Sequence, residues 1–248
     1  MTVLGRVAAR VGPVLVVAGL WEIVAGFAHS RMFPTVGAIL RVLGAEAASG
    51  RLIHQLDATM IRVACAFVLA MGLGSLLGIA MGRVGWLDRG LDSLLVGLLN
   101  LPALVVIVLI FVWFGLSETT TIVAVALNKL PSTAVVLREG TRAVDEGLVE
   151  MARSFRVSRG RVWRRVILPQ LYPYFFAATR SGLALIWKVV LVAELLGRTD
   201  GVGFQIEVYF QLFDVTGILA YTLAFVLVVQ AIEWVLLQPL ERRAMRWR

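Results

Sequence analysis

The chain is built from long apolar segments separated by short polar ones, and most of the apolar segments are long enough to cross a bilayer. A helix needs roughly 20 mostly apolar residues to span the hydrocarbon core. Six segments approach or exceed that length, at about 11–28, 58–82, 93–114, 119–137, 171–197 and 215–237. This pattern predicts an all-α, polytopic membrane protein with about six transmembrane helices.

The first span is predicted to differ from the rest. Residues 1–57 would hold an N-terminal span and an outside segment, in which a short helix over 36–48 is expected. Residues 58–248 would form a five-helix core. The first span has the basic start and apolar run of a signal peptide, but no convincing small-residue cleavage site follows it, so we interpret it as retained.

Composition agrees with a membrane location. Apolar residues make up 59% of the chain and charged residues 16%, whereas soluble domains have about 45–50% and about 25%. The net charge of +8 would suit nucleic-acid binding, but cytoplasmic loop arginines are its commoner cause in a membrane protein. We therefore expect no nucleic-acid partner.

The distribution of basic residues predicts the orientation. If both termini are cytoplasmic, 16 of the 24 basic residues lie in cytoplasmic segments, four lie outside and four lie within spans. Cytoplasmic loops carry such an excess of positive charge. We therefore expect a multi-pass protein with both termini in the cytoplasm.

One cytoplasmic block, Glu146–Gln170, is polar although apolar segments flank it, and it contains six arginines. Leu148, Ala152 and Phe155 are spaced to form one apolar face of a short helix, with Met151 beside them. The residues alone do not decide which of two surfaces this apolar face contacts. One is the lipid interface, and the other is a groove on a cytoplasmic partner.

The rest of the block predicts a turn and a second helix. Residues 157–160 favour a turn, and 161–168 favour a helical piece that Pro169 ends, because proline disrupts a helix interior.

The block resembles the EAA loop of ABC-importer permeases. That loop has Glu-Ala-Ala, then glycine four residues after the second alanine, then a run that ends in Leu-Pro. The matching positions here are Glu150, Met151, Ala152, Arg156, Leu168 and Pro169. Met151 replaces an alanine and Arg156 replaces the glycine, so the fine contacts differ from the pattern while the spacing agrees.

Residues of about 50–248 also resemble one branch, the permeases of nitrate, taurine and aliphatic-sulfonate importers. The likeness is carried by Arg62 at the start of a glycine-rich span, Leu101-Pro102, Val112–Gly115, Arg180-Ser181-Gly182, Ala193-Glu194-Leu195, Gly201–Phe204 and Leu240-Glu241-Arg242.

The resemblance implies the permease fold of a type I ABC importer in the bacterial inner membrane. Its expected partners are a second permease copy in a homodimer, two separate ATPase subunits that bind ATP and Mg, and an external solute-binding protein. The loop at about 138–170 would couple the permease to the ATPase through Glu150, Met151, Ala152, Arg153, Phe155, Arg156, Leu168 and Pro169.

The chain itself has no nucleotide-binding motif. A P-loop needs Gly-Lys-Ser or Gly-Lys-Thr after spaced glycines, but the two lysines follow Asn128 and Trp187. We therefore expect no cofactor and no enzyme activity in this chain. We also expect no metal site, because the two histidines are far apart in sequence.

Charged residues within the spans are candidates for a translocation pathway, because such charges usually face an interior or a water-filled cavity. The candidates are Lys188, Lys129, Arg180 and Glu194. Cationic groups there would attract a small anion such as nitrate, a sulfonate, taurine or a carboxylate. Alternatively, either lysine pairs with Glu194 or Glu233, Arg180 extends to the cytoplasmic surface, and Glu194 is a structural contact at the outer end.

Other functions remain open at this point. They are a permease for a neutral or cationic solute, a secondary transporter and an integral membrane enzyme. A second open question concerns a stripe of small residues at Ala66, Ala70, Gly74, Gly78 and Gly82. It favours close helix packing, either as ordinary packing or as a moving interface.

Overall fold

The computed structural model describes residues 3–28, 30 and 32–239, and helices account for all the regular structure there. The helices are α1 (Val3–Ala28), α2 (Val36–Ala48), α3 (Arg51–Arg83), α4 (Gly85–Asn100), α5 (Ala103–Phe114), α6 (Glu118–Arg142), α7 (Glu146–Ser154), α8 (Arg159–Val162), α9 (Leu168–Gly197), α10 (Val202–Gln211) and α11 (Val215–Ile232). A π turn over Trp163–Ile167 joins α8 to α9, and a second over Glu233–Leu237 follows α11. The terminal motif Leu240-Glu241-Arg242 lies outside the described residues.

Four of the predicted spans are single helices that are long and apolar enough to cross a membrane: Arg51–Arg83, Glu118–Arg142, Arg159–Gly197 and Val215–Val235. The predicted helix of the outside segment is also present, as α2. In the predicted first span, α1 is helical, and Val16–Ala28 forms a shorter apolar helix.

The third predicted span, 93–114, is not one straight helix. It covers the second half of α4 and all of α5, and these two helices are bent by 101° relative to each other. The bend lies at Leu101-Pro102, where both residues have extended backbone angles. Proline disfavours the helical conformation for the residue before it, so the helix ends there and restarts at Ala103.

The core of the fold is the packing of α3 on α6, and the small-residue stripe makes it possible. A Cβ added at Gly78 would overlap the carbonyl oxygen of Ala134, and one at Gly74 would lie 2.9 Å from that of Leu130. Glycine at these positions lets the two helix backbones touch. In this structure the stripe therefore serves the close packing of α3 on α6.

The prediction that Pro169 ends a helix is wrong. The helix runs without a break from Arg159 through the π turn to Gly197, and Pro169 stands in the first turn of α9. The amide of Leu168 bonds to the carbonyl of Trp163, five residues earlier. This wider turn relieves the clash that a proline ring makes with the carbonyl four residues before it.

Candidate coupling loop and translocation face

The loop between α6 and α9 contains a well-capped short helix, α7. The side chain of Asp145 accepts hydrogen bonds from the amides of Gly147, at 2.8 Å, and Leu148, and so caps the N-terminus. Glu146 lies in the first turn and Arg153 in the last. Both charges suit the helix dipole, so the loop sequence itself specifies where the helix begins.

The C-terminus of α7 explains why the EAA pattern has glycine at this position. The amide of Val157 bonds to the carbonyl of Ala152 at 3.0 Å, and that of Arg156 bonds to Arg153 at 2.8 Å. These bonds form a Schellman cap, in which one residue takes the left-handed conformation. Here that residue is Arg156, with φ of +53°. A side chain with a Cβ is strained there by roughly 1 kcal/mol or more.

Helix α7 has an inner and an outer apolar side. Val149 and Ala152 point inward and pack on the loop's own cluster of Val162, Ile167 and Leu171. The outer side exposes Leu148 (45%), Met151 (56%) and Phe155 (78%). Ala152 was predicted on the exposed face, and the structure corrects this, because it lies at that face's edge and turns toward the cluster.

Arginines collect in a cleft beneath α7, here called the inner cleft, with a volume of about 1120 Å³. Glu146 and Glu150 also line it, together with Arg83, Arg142, Arg153, Arg156 and Arg159. The guanidinium of Arg83 stacks on Trp163 at 4.3 Å from the ring centre. In the part of the chain that the structure describes, Arg153, Arg156 and Arg159 have no carboxylate within 4 Å. Their charges are therefore available to a partner.

The remaining two predicted coupling residues, Leu168 and Pro169, are both exposed at the start of α9. The structure thus brings all the predicted coupling residues to one end of the molecule. Their role in coupling stays a prediction.

One face of α9 is exposed along most of its length, and Lys188 lies on it. The exposed positions recur every three or four residues, at Ala177, Ser181, Ala184, Lys188 and Val192. We call this the Lys188 face. It combines small side chains with a charge in the middle of a span, where lipid contact is costly.

Lys129 approaches the same face from α6. Its side chain is 2% exposed, and Nζ donates hydrogen bonds to Ser132 at 2.8 Å and to Ser181 at 3.4 Å. An added Cβ at Gly182 would lie 2.8 Å from Cε of Lys129, so this glycine makes room for the lysine. Ser181 thus links the buried lysine to the Lys188 face.

The predicted ion pairs of the lysines with Glu194 or Glu233 are wrong. Glu194 pairs with Arg62 at 2.7 Å, and Glu233 lies 4.0 Å from the exposed Arg180. Within the described residues, neither lysine has a carboxylate in ion-pair range. The exposed charge of Lys188 is thus left for water or a solute, while the buried Lys129 is bonded to Ser132 and Ser181.

The sequence did not predict a buried cluster of charged residues at the outer end of α9. Arg62, at its centre, was noted only as part of a motif. Arg62 is 1% exposed and binds Glu118 at 2.7 Å, Glu194 at 2.7 Å and Asp200 at 2.6 Å. With Thr59, these residues form what we call the Arg62 cluster. The available signal was an arginine in an apolar run, which requires buried carboxylates.

Asp200 lies outside the spans, in the turn between α9 and α10. Burial alone would raise the pKa of its carboxyl, but the hydrogen bond and charge of Arg62 lower that pKa below its ordinary value. Asp200 is therefore ionised at neutral pH and remains a partner of Arg62.

Comparison with known proteins identifies the family. Residues 70–237 match the family described as the binding-protein-dependent transport system inner membrane component. The chain belongs to this family. Its predicted identity as an ABC-importer permease rather than an enzyme is thereby confirmed, as are an inner-membrane location and the need for ATPase and solute-binding partners.

Relatives and structures agree with this assignment. The chain is 32% identical to a putative aliphatic sulfonates transport permease protein of Escherichia coli K12, over 98% of this chain and 92% of the relative. It is 28% identical to the taurine transport system permease protein of the same organism, over 78% and 70%. An inward-facing methionine ABC transporter superposes with a TM-score of 0.64 at 18% identity, covering 79% and 95%. The type I importer permease fold is thereby confirmed.

Proposed function

We propose that this permease imports a small anion, of sulfonate or related type, along the Lys188 face of α9. The observation that carries the proposal is the exposed, unpaired ammonium of Lys188 in the middle of a span, within the described part of the chain. Such a charge is costly against lipid and is tolerated where it lines a water-filled path.

Two further observations favour an anion. Lys129 adds a second positive charge, buried behind Ser181 of that face. Relatives at 28–32% identity are named for aliphatic sulfonates and taurine, which carry sulfonate groups. An anion in the path would offset both lysine charges, whereas a cation would be repelled by them.

The same geometry suggests how the complex is assembled. The Lys188 face is partly covered by a second permease copy, so that two copies enclose the path as a homodimer. Both chain termini lie in the cytoplasm. The ATP and Mg that drive transport bind to the separate ATPase subunits.

The outer side of α7 fills a groove on the ATPase. Leu148, Met151 and Phe155 form a contiguous exposed apolar patch on a helix, which is the pattern of a helix-in-groove contact. Arg153 and Arg156 beside it supply charges for acidic residues at the rim of the groove.

The test is solute-stimulated ATP hydrolysis and uptake by the permease reconstituted in proteoliposomes with its ATPase and its solute-binding protein. Taurine, an alkanesulfonate, nitrate and a neutral amino acid are offered separately. Lys188→Gln is expected to lower uptake of the stimulating anion at least about tenfold, the equivalent of 1.4 kcal/mol, and Lys188→Arg to retain most of it.

The matched control is Arg41→Gln, which removes an exposed positive charge on α2, away from this face. Stimulation by the neutral amino acid alone would show that the solute assignment is wrong. Full uptake by Lys188→Gln would show that the path does not run along α9.

A further inference from the structure

Arg62 holds together four parts of the molecule that are distant in sequence. Its guanidinium extends from α3 and makes hydrogen bonds to Glu118 at the start of α6 and to Glu194 near the end of α9. It also binds the side chain and the carbonyl of Asp200, in the turn before α10, at 2.6 and 2.9 Å. The planar fork of arginine suits such simultaneous contacts, which lysine cannot reproduce.

Glu194 extends the connection to the start of α10. Its carboxylate accepts hydrogen bonds from the amide of Gly203 and the hydroxyl of Thr59, both at 2.9 Å. The Thr59 hydroxyl in turn accepts a hydrogen bond from the amide of Val202 at 2.8 Å. A Cβ at Gly201 would overlap the Glu194 carboxylate, so the turn packs directly against the Glu194 side chain.

This arrangement is poorly explained by stability alone. The loss of hydration offsets much of the attraction within a buried ion pair. Apolar residues of similar size often stabilise a fold as well or better. Arg62 and Glu194 are nearly inaccessible. What the pair supplies is a defined relative position of α3, α6, α9 and the turn.

That position matters because the coupling loop joins the other ends of the same helices. Helix α6 ends at Arg142 and α9 begins at Leu168, with α7 and the inner cleft between them. A displacement of the loop therefore moves both helices at their inner ends. Without a fastening at the outer ends, α9 could tilt or slide against α3 and α6.

We propose that Arg62 is a positioning residue that carries movement of the coupling loop to the outer end of the Lys188 face. It does so by fastening α9 and its turn to α3 and α6. The inference rests on the proposed function in that α9 lines the path. Arg62 itself contacts neither the coupling loop nor the lysines.

The first experiment measures the local geometry in the purified complex. Val202→Cys, in a Cys65→Ser background, places a thiol at a fully buried position at the start of α10. Labelling by a bulky maleimide is expected to be slow when Arg62 is present and at least about fivefold faster with Arg62→Gln. Arg41→Gln, the matched control, is expected to leave labelling unchanged. Equal labelling rates with and without Arg62 would overturn the proposal.

The second experiment measures solute transported per ATP hydrolysed, using the solute that stimulates the wild-type complex. Arg62→Lys and Arg62→Gln are expected to keep hydrolysing ATP, because the ATPase is a separate chain, but to lower the ratio about fivefold or more. An unchanged ratio in either variant would contradict the positioning role.

A double variant, Arg62→Gln with Glu194→Gln, separates positioning from charge burial. It removes both buried opposite charges, so the amount of assembled complex should recover if Arg62→Gln alone folds poorly. The transport ratio should stay low. Recovery of the ratio as well would mean that Arg62 only neutralises Glu194.

Failure of the proposed function would look different. A wild-type complex without anion-stimulated hydrolysis would refute the solute assignment, while the labelling of Val202→Cys requires no solute and would still test whether Arg62 fixes the start of α10 in place.

Discussion

Among single residues, Arg156 departs from the motif and has a strained backbone conformation as a result. Its φ of +53° places an arginine where the Schellman cap of α7 favours glycine. Relief of this strain in Arg156→Gly should stabilise the end of α7 by about 1 kcal/mol. Hydrogen exchange at the Val157 amide, which closes the cap, should then slow about fivefold.

The comparison for this residue is Arg156→Ala, which removes the guanidinium but keeps a Cβ in the same conformation. Exchange at Val157 should not slow in that variant. If both variants slowed exchange equally, the effect would belong to the charge and not to the backbone. Uptake that falls in both would place the guanidinium in the contact with the ATPase.

At the scale of elements, α7 presents its outer side to solvent while its inner side is already satisfied by the loop cluster. Phe155→Ser removes the most exposed apolar side chain of that outer side without touching the cluster. We expect the permease to insert normally but to bind its ATPase at least about tenfold more weakly, as for loss of an interface anchor. Co-purification at graded salt and detergent concentrations measures this.

The matched control lies on another exposed surface. Phe213→Ser removes an aromatic side chain of similar exposure from the turn between α10 and α11. It should leave ATPase binding unchanged. If Phe155→Ser still bound the ATPase normally, the outer side of α7 would be assigned to the lipid interface instead.

The helices also show which parts of the fold the sequence could predict and which it could not. Apolar run length located the four long spans, and the spacing of Leu148 and Phe155 located α7. The bend at Leu101-Pro102 was missed because run length ignores what proline does to the residue before it. The prediction for Pro169 was wrong because proline usually indicates a helix end. Here the π turn before it accommodates the proline ring, and nothing in the sequence indicated that turn.

At the scale of the whole molecule, long-range partners were the hardest to predict. Arg62 and Glu194 were noted on separate segments and Glu118 was not noted at all, because sequence spacing relates only residues on one helix. Pairing Glu194 with a lysine was chemically reasonable, and only the packing of α3 against α9 shows that Arg62 reaches it first. The cluster therefore emerges from the tertiary fold and from no single motif.

The packing of α3 on α6 yields a prediction for the entire fold. Gly78 faces the backbone of Ala134, which cannot move aside as a flexible side chain would, while Gly72 on the same helix has open space. Gly78→Val should therefore destabilise the permease by on the order of 3 kcal/mol, since overpacking against backbone is costly. Gly72→Val should have little effect. Thermal unfolding in detergent compares the two. Because α3 carries Arg62 and α6 leads into α7, separation of these helices should abolish uptake together with stability, whereas equal stability of the two variants would mean that the helices do not touch here.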